Sequence, residues 1–407
     1  MRPEVTMTRK DELQASRAAR IFALNAMLSG FSCIRCRTKL PIGDYFEGCP
    51  ECLARGEPST VRPEFRQLPP TLGNAGKCGM ERYAAWMPYA SWVSLGEGGT
   101  SCLSFPALAQ EVKTAAVFIK NEGQNPSGSH KDRASCLTVT RALATGAKKI
   151  VAASSGNGGA SLALYAAAAG LGCCIVTTPA LSPIFGRAIT ITGSELVSAP
   201  DSLDRWRIVA GMVREGWFPA TNYLNPPVGS NPFGLPGLNT VAFEIFEELG
   251  EGAIDVVIVP TSRGDLIWGL YEGFNQLKSI GLIATLPRLF AVEPFPRIRR
   301  VLDGEEIAGS FPGKTSLVSI GGSTITYQAV KAITETGGGA VVVDDEAVAR
   351  DQVRLAGHGC YAELSSAATL TGLELLLRDG AVSSEDRVAL IVTSNGYKDM
   401  PEAGTAE

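Results

Sequence analysis

The chain has 407 residues and carries 37 Lys and Arg against 41 Asp and Glu, which gives a net charge of −4. Its length allows two or three domains, and its 45 % hydrophobic residues exclude wholesale disorder. A slightly acidic chain lacks the positive charge by which proteins bind nucleic acid or anionic lipid. We therefore expect neither nucleic acid nor a membrane among its partners.

The first 74 residues differ in character from the rest and predict a separate N-terminal extension. Residues 1–30 form a polar, helix-prone lead, residues 31–54 contain closely spaced cysteines, and residues 55–75 form a proline-containing linker. The cysteines elsewhere in the chain are scattered and give no disulfide framework. This cysteine usage favours a reducing, cytoplasmic location.

Two C-x2-C pairs lie in this extension, Cys33 with Cys36 and Cys49 with Cys52. Such pairs supply four thiolates at the tetrahedral geometry that structural Zn²⁺ prefers. Because four Cys ligands leave no open coordination position, we expect a structural zinc ribbon. Four free thiols are the alternative, and binding of nucleic acid is a weaker use of the ribbon because the chain is nearly neutral.

From about Val117 onward, short β-rich runs alternate with helical patterns. This alternation predicts an α/β fold made of βαβ units, with open, mostly parallel sheets and helices on both faces. The apolar run from Leu162 to Leu181 contains two glycines and a proline, and predicts a buried helix, a turn and a strand in place of a membrane span. The predicted strands are 149–153, 173–177, 194–198, 254–259, 288–292, 340–343 and 387–393. The predicted helices are 133–145, 157–169, 203–214, 239–249, 265–278, 325–335, 345–355 and 364–378.

Two loops, each of which precedes a predicted helix, contain residues suited to Schiff-base formation or to anion binding. A lysine at a helix N-terminus, such as Lys131, has a lowered pKa, which suits an amine that forms a Schiff base with a carbonyl. An exposed loop lysine is the alternative. The glycine-rich loop 154–160 offers backbone N–H groups to a carboxylate or phosphate, with close packing of helix on strand as the alternative.

Five segments together resemble the fold-type II pyridoxal-phosphate (PLP) enzymes, and among them the threonine synthases. The segments are SGSHKDR (127–133), SSGNGGASLALYAAAAGL (154–171), LGEGGT (95–100), ELSSAA (363–368) and TSNGYKD (393–399). Their order and spacing agree with that family over most of the chain, and several threonine synthases also begin with a CxxC…CxxC ribbon. The resemblance implies two open three-layer αβα domains of the tryptophan synthase β-like, fold-type II kind, behind the ribbon.

The resemblance also implies roles for individual residues. Lys131 matches the lysine that forms the Schiff base with PLP and moves substrate protons, and Thr393 matches the hydroxyl partner of the pyridine nitrogen. Asn157 matches the asparagine that binds the 3′-oxygen of PLP. Glu363 matches a helix start near the ring, where a structural carboxylate is as good an interpretation as a catalytic one. The substrate carboxylate is expected at the segment Ser154, Ser155, Gly156, Asn157 and Gly158.

The same resemblance places the cofactor phosphate at the loop after strand 254–259. This loop is atypical, since it contains Ser262, Arg263, Gly264 and Asp265 where the family has glycine and asparagine. Ser262 and backbone N–H groups suit a phosphate, Arg263 adds a charge-assisted bond, and Asp265 suits an N-cap better than a phosphate ligand. His130 resembles the histidine before the lysine in the β-subunit of tryptophan synthase, which touches the phosphate; a packing role is the alternative.

One segment departs from the threonine synthases. In that family an arginine ahead of a helix grips the side-chain phosphate of O-phosphohomoserine, and the matching position here is Gly234. The threonine that follows SSGN in the family is also replaced, by Gly158. These changes remove charge from the expected site of the leaving group, and we consider Arg187 or Lys331 as replacements.

The sequence therefore predicts a PLP-dependent amino-acid lyase or synthase, which performs β- or γ-elimination or replacement through Lys131 on a substrate other than O-phosphohomoserine. The alternative is a threonine synthase, which converts O-phospho-L-homoserine and water to L-threonine and phosphate. A non-catalytic, zinc-bearing homologue is a minor alternative. We expect a small domain at 115–228 and a large domain at 75–114 and 229–402, with PLP between them, in a homodimer as the family suggests.

Overall fold

A computed structural model describes residues 22–399 of the chain. The predicted strands and helices from residue 132 onward all occur, and most bounds agree within two residues. The strands, in chain order, are β1 Leu28–Cys33, β2 Lys39–Leu40, β3 Val61–Phe65, β4 Cys102–Ser104, β5 Ala116–Asn121, β6 Lys149–Ala153, β7 Gly172–Thr177, β8 Glu195–Ser198, β9 Phe218–Pro219, β10 Val256–Pro260, β11 Arg288–Glu293, β12 Gly339–Val342 and β13 Arg387–Val392.

The helices account for the periodic apolar positions between these strands. The run from 162 to 181 divides into a helix and a strand as predicted, and no helix within residues 22–399 is long and apolar enough to cross a membrane. The helices are α1 Pro50–Ala54, α2 Pro106–Val112, α3 Asp132–Ala144, α4 Asn157–Ala168, α5 Pro183–Thr190, α6 Ser202–Arg214, α7 Thr240–Leu249, α8 Asp265–Ser279, α9 Ile298–Leu302, α10 Tyr327–Glu335, α11 Asp345–Gly357 and α12 Leu364–Arg378. Short 3₁₀ segments cover Gly79–Trp86, Glu122–Gln124, Leu235–Asn239 and Gly396–Lys398.

Two mostly parallel sheets form the body of the protein. The larger has six strands in the order β12-β11-β10-β13-β5-β4, all parallel except β4, and the smaller has four parallel strands in the order β8-β7-β6-β9. Each sheet is covered on both faces, so alternate residues of a strand point into different apolar clusters. In β6, Ile150 and Ala152 join one apolar cluster, and Val151 and Ala153 join another. Each sheet is thus the middle layer of an αβα sandwich, and the predicted fold class is correct.

Strand β5 belongs to the six-stranded sheet, although its residues fall within the range predicted for the small domain. Ala116–Asn121 (β5) falls inside the predicted small domain at 115–228, but it pairs along its whole length with β13 of the six-stranded sheet. The reason is non-local, since the partner strand follows more than 260 residues later in the chain. Pairing partners at such separation leave no local signal in the sequence.

The N-terminal extension folds as a small antiparallel sheet in the order β2-β1-β3. Residues 28–30 belong to β1 and not to a helix, and residues 1–21 of the predicted helix-prone lead lie outside the described residues. The extension contacts both sandwiches. Phe46 packs edge-on against Phe218 of β9 in the smaller sheet with 5.0 Å between ring centroids, and Arg62 bonds Glu272 of α8 in the larger sandwich at 3.0 Å.

A fully buried charge network holds the start of α3 to the larger sandwich. Arg133 is inaccessible to solvent and donates to Glu122 at 2.7 Å and to Glu244 of α7 at 2.6 Å. Glu244 also accepts from Lys120 of β5 at 2.7 Å. Burial raises the pKa of Glu244, but the cations Arg133 and Lys120 outweigh it and hold the pKa at about 2. The network therefore stays ionised at neutral pH.

Removing one charge from this network is expected to destabilise the fold strongly. Glu244→Gln leaves buried cations without their shared partner, and breaking a buried pair in this way lowers the free energy of unfolding by about 3–5 kcal/mol. Urea denaturation measures the change. Asp303→Asn is the matched control, because its partner Arg299 is exposed and such pairs contribute little. Equal stability of Glu244→Gln and the parent protein would contradict this account.

Candidate active site

A cavity of about 490 Å³ lies between the two sandwiches. Its walls come from segments that directly follow the carboxyl ends of parallel strands, where open α/β sheets bind their ligands. These segments follow β6 at Ser154, β10 at Thr261 and β13 at Thr393, and the loop after β5 leads to Lys131. The cavity brings together most of the predicted site residues, which are His130, Lys131, Ser154, Ser155, Gly156, Asn157, Gly158, Ser262, Arg263, Gly264, Asp265 and Thr393.

Lys131 stands at the N-cap position of α3 and lines the cavity. Burial lowers the pKa of its amine, Asp265 opposes this, and the positive charge of Arg263 reinforces it. Desolvation, and not the helix terminus expected from the sequence, is therefore the main cause of the lowered pKa of Lys131. A lowered pKa increases the fraction of neutral amine, the form that attacks a carbonyl carbon.

His130 precedes this lysine and is held against the end of β13. Its backbone N–H donates to the carbonyl oxygen of Thr393 at 3.0 Å, and its Nδ1 lies 3.3 Å from the same oxygen. Burial lowers the pKa of His130 well below its usual value, and the nearby charge of Lys131 lowers it further. The imidazole is therefore neutral at pH 7. Thr393 Oγ1 lies 2.8 Å from the hydroxyl oxygen of Ser366.

Asn157 is fixed by hydrogen bonds at both ends of its amide. Its Nδ2 donates to the Glu363 carboxylate at 2.6 Å, and its Oδ1 accepts from Lys398 Nζ at 2.7 Å. Glu363 is 2 % exposed and stands at the N-cap of α12, yet its side chain makes no capping bond. Ser319 donates to its other oxygen. The Glu363 carboxylate thus orients Asn157, a role that the sequence analysis left open, and Lys398 is a neighbour that the sequence analysis missed.

The loop after β6 is shaped for an anion. The hydroxyl oxygen of Ser154 accepts from the N–H groups of Gly156 at 3.3 Å and Gly159 at 2.8 Å, which fixes the turn into α4. The N-cap residue Gly156 has no side chain to cap the helix, so the N–H of Gly159 is bonded to Ser154 while those of the first two helical residues have no side-chain cap. Such a helix N-terminus accommodates a carboxylate or phosphate.

The loop after β10 has the same architecture. Gly264 occupies the N-cap of α8 at φ 98°, and a Cβ there would lie 2.2 Å from the Cβ of Ala329, so the position requires glycine. Asp265 is the first helical residue and not the cap: its carboxylate accepts from Ser230 and from Gln328. The Arg263 guanidinium lies 5.5 Å from the ring centroid of Trp206 in α6. An uncapped helix end, a hydroxyl at Ser262 and a guanidinium fit the phosphate of a PLP group.

Gly234, which stands where the threonine synthases have an arginine, has no space for a side chain. A Cβ at Gly234 would lie 2.1 Å from Thr138 Oγ1 and 2.9 Å from the carbonyl oxygen of Ala134, both in α3. The two proposed replacements are also wrong: Arg187 is exposed, Lys331 pairs with Glu335, and neither lines the cavity. Charges that the sequence analysis missed do line it, namely Arg205 of α6 and Lys314. No motif marked either residue.

The four N-terminal cysteines converge as their spacing predicts. All four sulfur atoms lie within 4.8 Å of one another, with Cys33 to Cys52 and Cys36 to Cys49 each 3.6 Å apart. A tetrahedron of Zn–S bonds of about 2.3 Å has edges of about 3.8 Å, so the arrangement fits one Zn²⁺. Backbone N–H groups of Arg35 and Cys36 donate to Cys33 Sγ at 3.4 Å, and such bonds stabilise a thiolate.

Comparisons with known proteins agree with this geometry. The threonine synthase of Methanocaldococcus jannaschii is 32 % identical over 338 residues, which cover 80 % of this chain and 82 % of that protein. The threonine synthase of Mycobacterium tuberculosis is 31 % identical over 320 residues, which cover 78 % of this chain and 86 % of that protein.

Solved structures share the fold at lower identity. A fungal L-serine ammonia-lyase from Rhizomucor miehei superposes with a TM-score of 0.62 at 21 % identity, over 75 % of this chain and 95 % of that one. The processed threonine deaminase isoform 2 from Solanum lycopersicum superposes with a TM-score of 0.61 at 18 % identity, over 75 % and 80 %. These neighbours have the fold-type II architecture that the sequence motifs imply.

The family model described as "Pyridoxal-phosphate dependent enzyme" matches residues 93–394, which include both sandwiches and every loop of the cavity. That match, the threonine synthase relatives and the lysine that lines the cavity lead to one conclusion: the chain belongs to the family of PLP-dependent enzymes.

Proposed function

We propose that the protein catalyses elimination or replacement at the β- or γ-carbon of an L-amino acid other than O-phospho-L-homoserine. The observation that carries the substrate argument is the packing of Gly234 against α3, which leaves no room for an arginine at that position. A phosphate dianion needs cationic partners, because its desolvation is costly. A pocket without this arginine is therefore suited to a different side chain or binds its anion from another wall.

The roles of the residues follow from the groups that they present. PLP, when bound, supplies an electron sink for a carbanion beside the amino-bearing carbon. Lys131 would hold the cofactor and, in its neutral amine form, take the proton from that carbon. Asn157, which is held by its hydrogen bond to Glu363, would bind the 3′-oxygen of the cofactor ring. Ser262, Arg263, Gly264 and His130 would hold the phosphate, and the Asp265 carboxylate is occupied by its bonds to Ser230 and Gln328. Thr393 presents a hydroxyl to the ring nitrogen, and the loop 154–158 receives the substrate carboxylate.

A threonine synthase is the second candidate, and the curated relatives favour it. Relatives that cover about four fifths of the chain at 30–32 % identity bear that name. This candidate requires that a cation outside the usual arginine position binds the substrate phosphate. Arg205 and Lys314 line the cavity and have the required charge.

We also propose that Cys33, Cys36, Cys49 and Cys52 bind one structural Zn²⁺. The sulfur spacing supports this, and four Cys ligands leave no position for a substrate. The near-neutral charge supports a small-molecule substrate without nucleic acid. We further propose a cytoplasmic homodimer, a proposal that rests on the resemblance to the family.

Release of inorganic phosphate from O-phospho-L-homoserine by the PLP-loaded protein separates the two candidates. We expect no release with O-phospho-L-homoserine and turnover with another amino acid, such as an O-substituted serine, free serine or threonine. Lys131→Ala should abolish both that turnover and the visible absorbance of the bound cofactor. Phosphate and threonine in equal amounts would contradict the first candidate and support the second.

The buried amine of Lys131 predicts a pH-dependent stability change in the cofactor-free protein. Its pKa is lowered in the folded state, so the unfolded state binds the proton more tightly and the charge destabilises the fold below its folded pKa. Lys131→Met should therefore raise the free energy of unfolding at pH 7. This gain should shrink as the pH rises towards the unfolded-state value of about 10.4. Urea denaturation of both proteins across this pH range measures it, and a gain that grows with pH would contradict the assignment.

Loss of one cysteine ligand tests the zinc proposal. Cys33→Ser should lower the metal content measured by atomic absorption and reduce the thermal midpoint, because a structural zinc site contributes to folding. Cys78→Ser is the control, since Cys78 is an exposed cysteine outside the cluster. Equal zinc content in Cys33→Ser and the parent protein would refute the assignment.

A further inference from the structure

Two arginines line the cavity without a carboxylate partner. Among the ion pairs of the described residues, none includes Arg205 or Arg263. Arg205 of α6 donates from Nη1 to Ser155 Oγ at 2.6 Å and from Nη2 to Ser202 Oγ at 3.2 Å, and its buried Nε has no hydrogen-bond partner. Buried donors without partners are rare in native proteins and indicate a missing ligand or water.

The two guanidinium groups lie close enough to affect each other. Burial lowers the pKa of Arg205 to about 10, the positive charge of Arg263 adds to this shift, and the Asp201 carboxylate opposes it. Trp206, the neighbour of Arg205 on α6, stacks with Arg263. Because two desolvated cations repel each other, bound anions at this end of the cavity would stabilise both.

The proposed function requires two anions, the cofactor phosphate and the substrate carboxylate. Each has a binding site elsewhere in the cavity, so neither explains the unpartnered donor of Arg205. The cofactor phosphate has the Arg263 loop and the uncapped end of α8, and the substrate carboxylate has the uncapped end of α4. A second buried donor on the same cavity is also free: Asn231 is 5 % exposed, and its Nδ2 has no partner. Asn231 belongs to the segment that carries Gly234, where the family arginine is absent.

We propose that Arg205 is a specificity-determining residue that binds an oxyanion on the side chain of the substrate, with Asn231 as a further donor. This inference rests on the proposed function, because it assumes an amino-acid substrate in this cavity. It narrows the substrate to the class of amino acids whose side chain ends in a phosphate or carboxylate. Arg205 lies on α6, in the other sandwich, so this site would bind the oxyanion from a different wall than the missing family arginine.

Binding to the PLP-loaded protein tests this assignment without turnover. The probes are phosphonate analogues of O-phospho-L-serine and O-phospho-L-homoserine, in which a methylene replaces the ester oxygen and prevents loss of the phosphorus group. L-Norvaline is the uncharged reference. Calorimetry should show that Arg205→Gln weakens binding of the better phosphonate by about 10- to 100-fold, as expected for a charged hydrogen bond, and leaves L-norvaline unchanged.

Two variants sharpen the result. Arg205→Lys should recover part of the affinity, because it keeps the charge and loses the planar fork. Arg207→Gln on the same helix is the matched control, since Arg207 is exposed and pairs with Asp204, and it should bind every probe like the parent protein. Cofactor affinity, followed by the quenching of tryptophan fluorescence, should be equal in all four proteins.

Each contrary outcome has a distinct meaning. Equal weakening of phosphonate and L-norvaline in Arg205→Gln would assign Arg205 to the substrate carboxylate and overturn the inference. Reduced affinity for PLP would assign it to the cofactor phosphate and also overturn it. A parent protein that binds L-norvaline as tightly as both phosphonates would refute the anion site alone. Failure to bind any of the three probes would overturn the proposed function as well.

Discussion

The position of the reactive lysine depends on a buried ion network that lies just behind it. Arg133, two residues after Lys131, is bonded to Glu122 after β5 and to Glu244 in α7. Charges without access to water are tolerated only when each has a partner, so the network fixes how α3 meets the larger sandwich. Lys131 is therefore placed by the first turn of α3, and its amine projects into the cavity between the sandwiches.

The same helix determines what the cavity can bind. The segment that begins at Asn231 packs so closely on α3 that Gly234 and Gly237 have no space for a Cβ: one built at Gly237 would lie 1.8 Å from the carbonyl oxygen of Arg133. Close packing excludes a long cationic side chain from this wall. Another wall, formed by α6, contains Arg205. In the proposed function, the lysine and the residue that selects the substrate therefore belong to different walls of one cavity.

The local pattern of the sequence was sufficient to predict the strands, the helices and the main motifs. Strands and helices such as β6 and α4 follow from apolar runs separated by glycine-rich turns, and these signals are local. The spacing within each Cys pair is also local, since Cys33 and Cys36 span the turn after β1 and Cys49 and Cys52 span the start of α1. Contacts distant in the chain left no such signal: the predicted small-domain range 115–228 includes β5, which pairs with β13, and Asp265 was expected to cap α8 but is bound by Ser230 and Gln328.

By itself, the sequence determined the αβα class, the family resemblance, the place of Lys131 at a helix start and the cysteine cluster, because each depends on residue types at short, fixed spacing. Only the tertiary structure decided which charges face the cavity. Arg187 and Lys331 were plausible in the sequence, yet one is exposed and the other is paired on the surface of α10. Arg205 belongs to no motif. Its role became visible only in the tertiary structure, where it lines the cavity between the two sandwiches and its buried Nε has no hydrogen-bond partner.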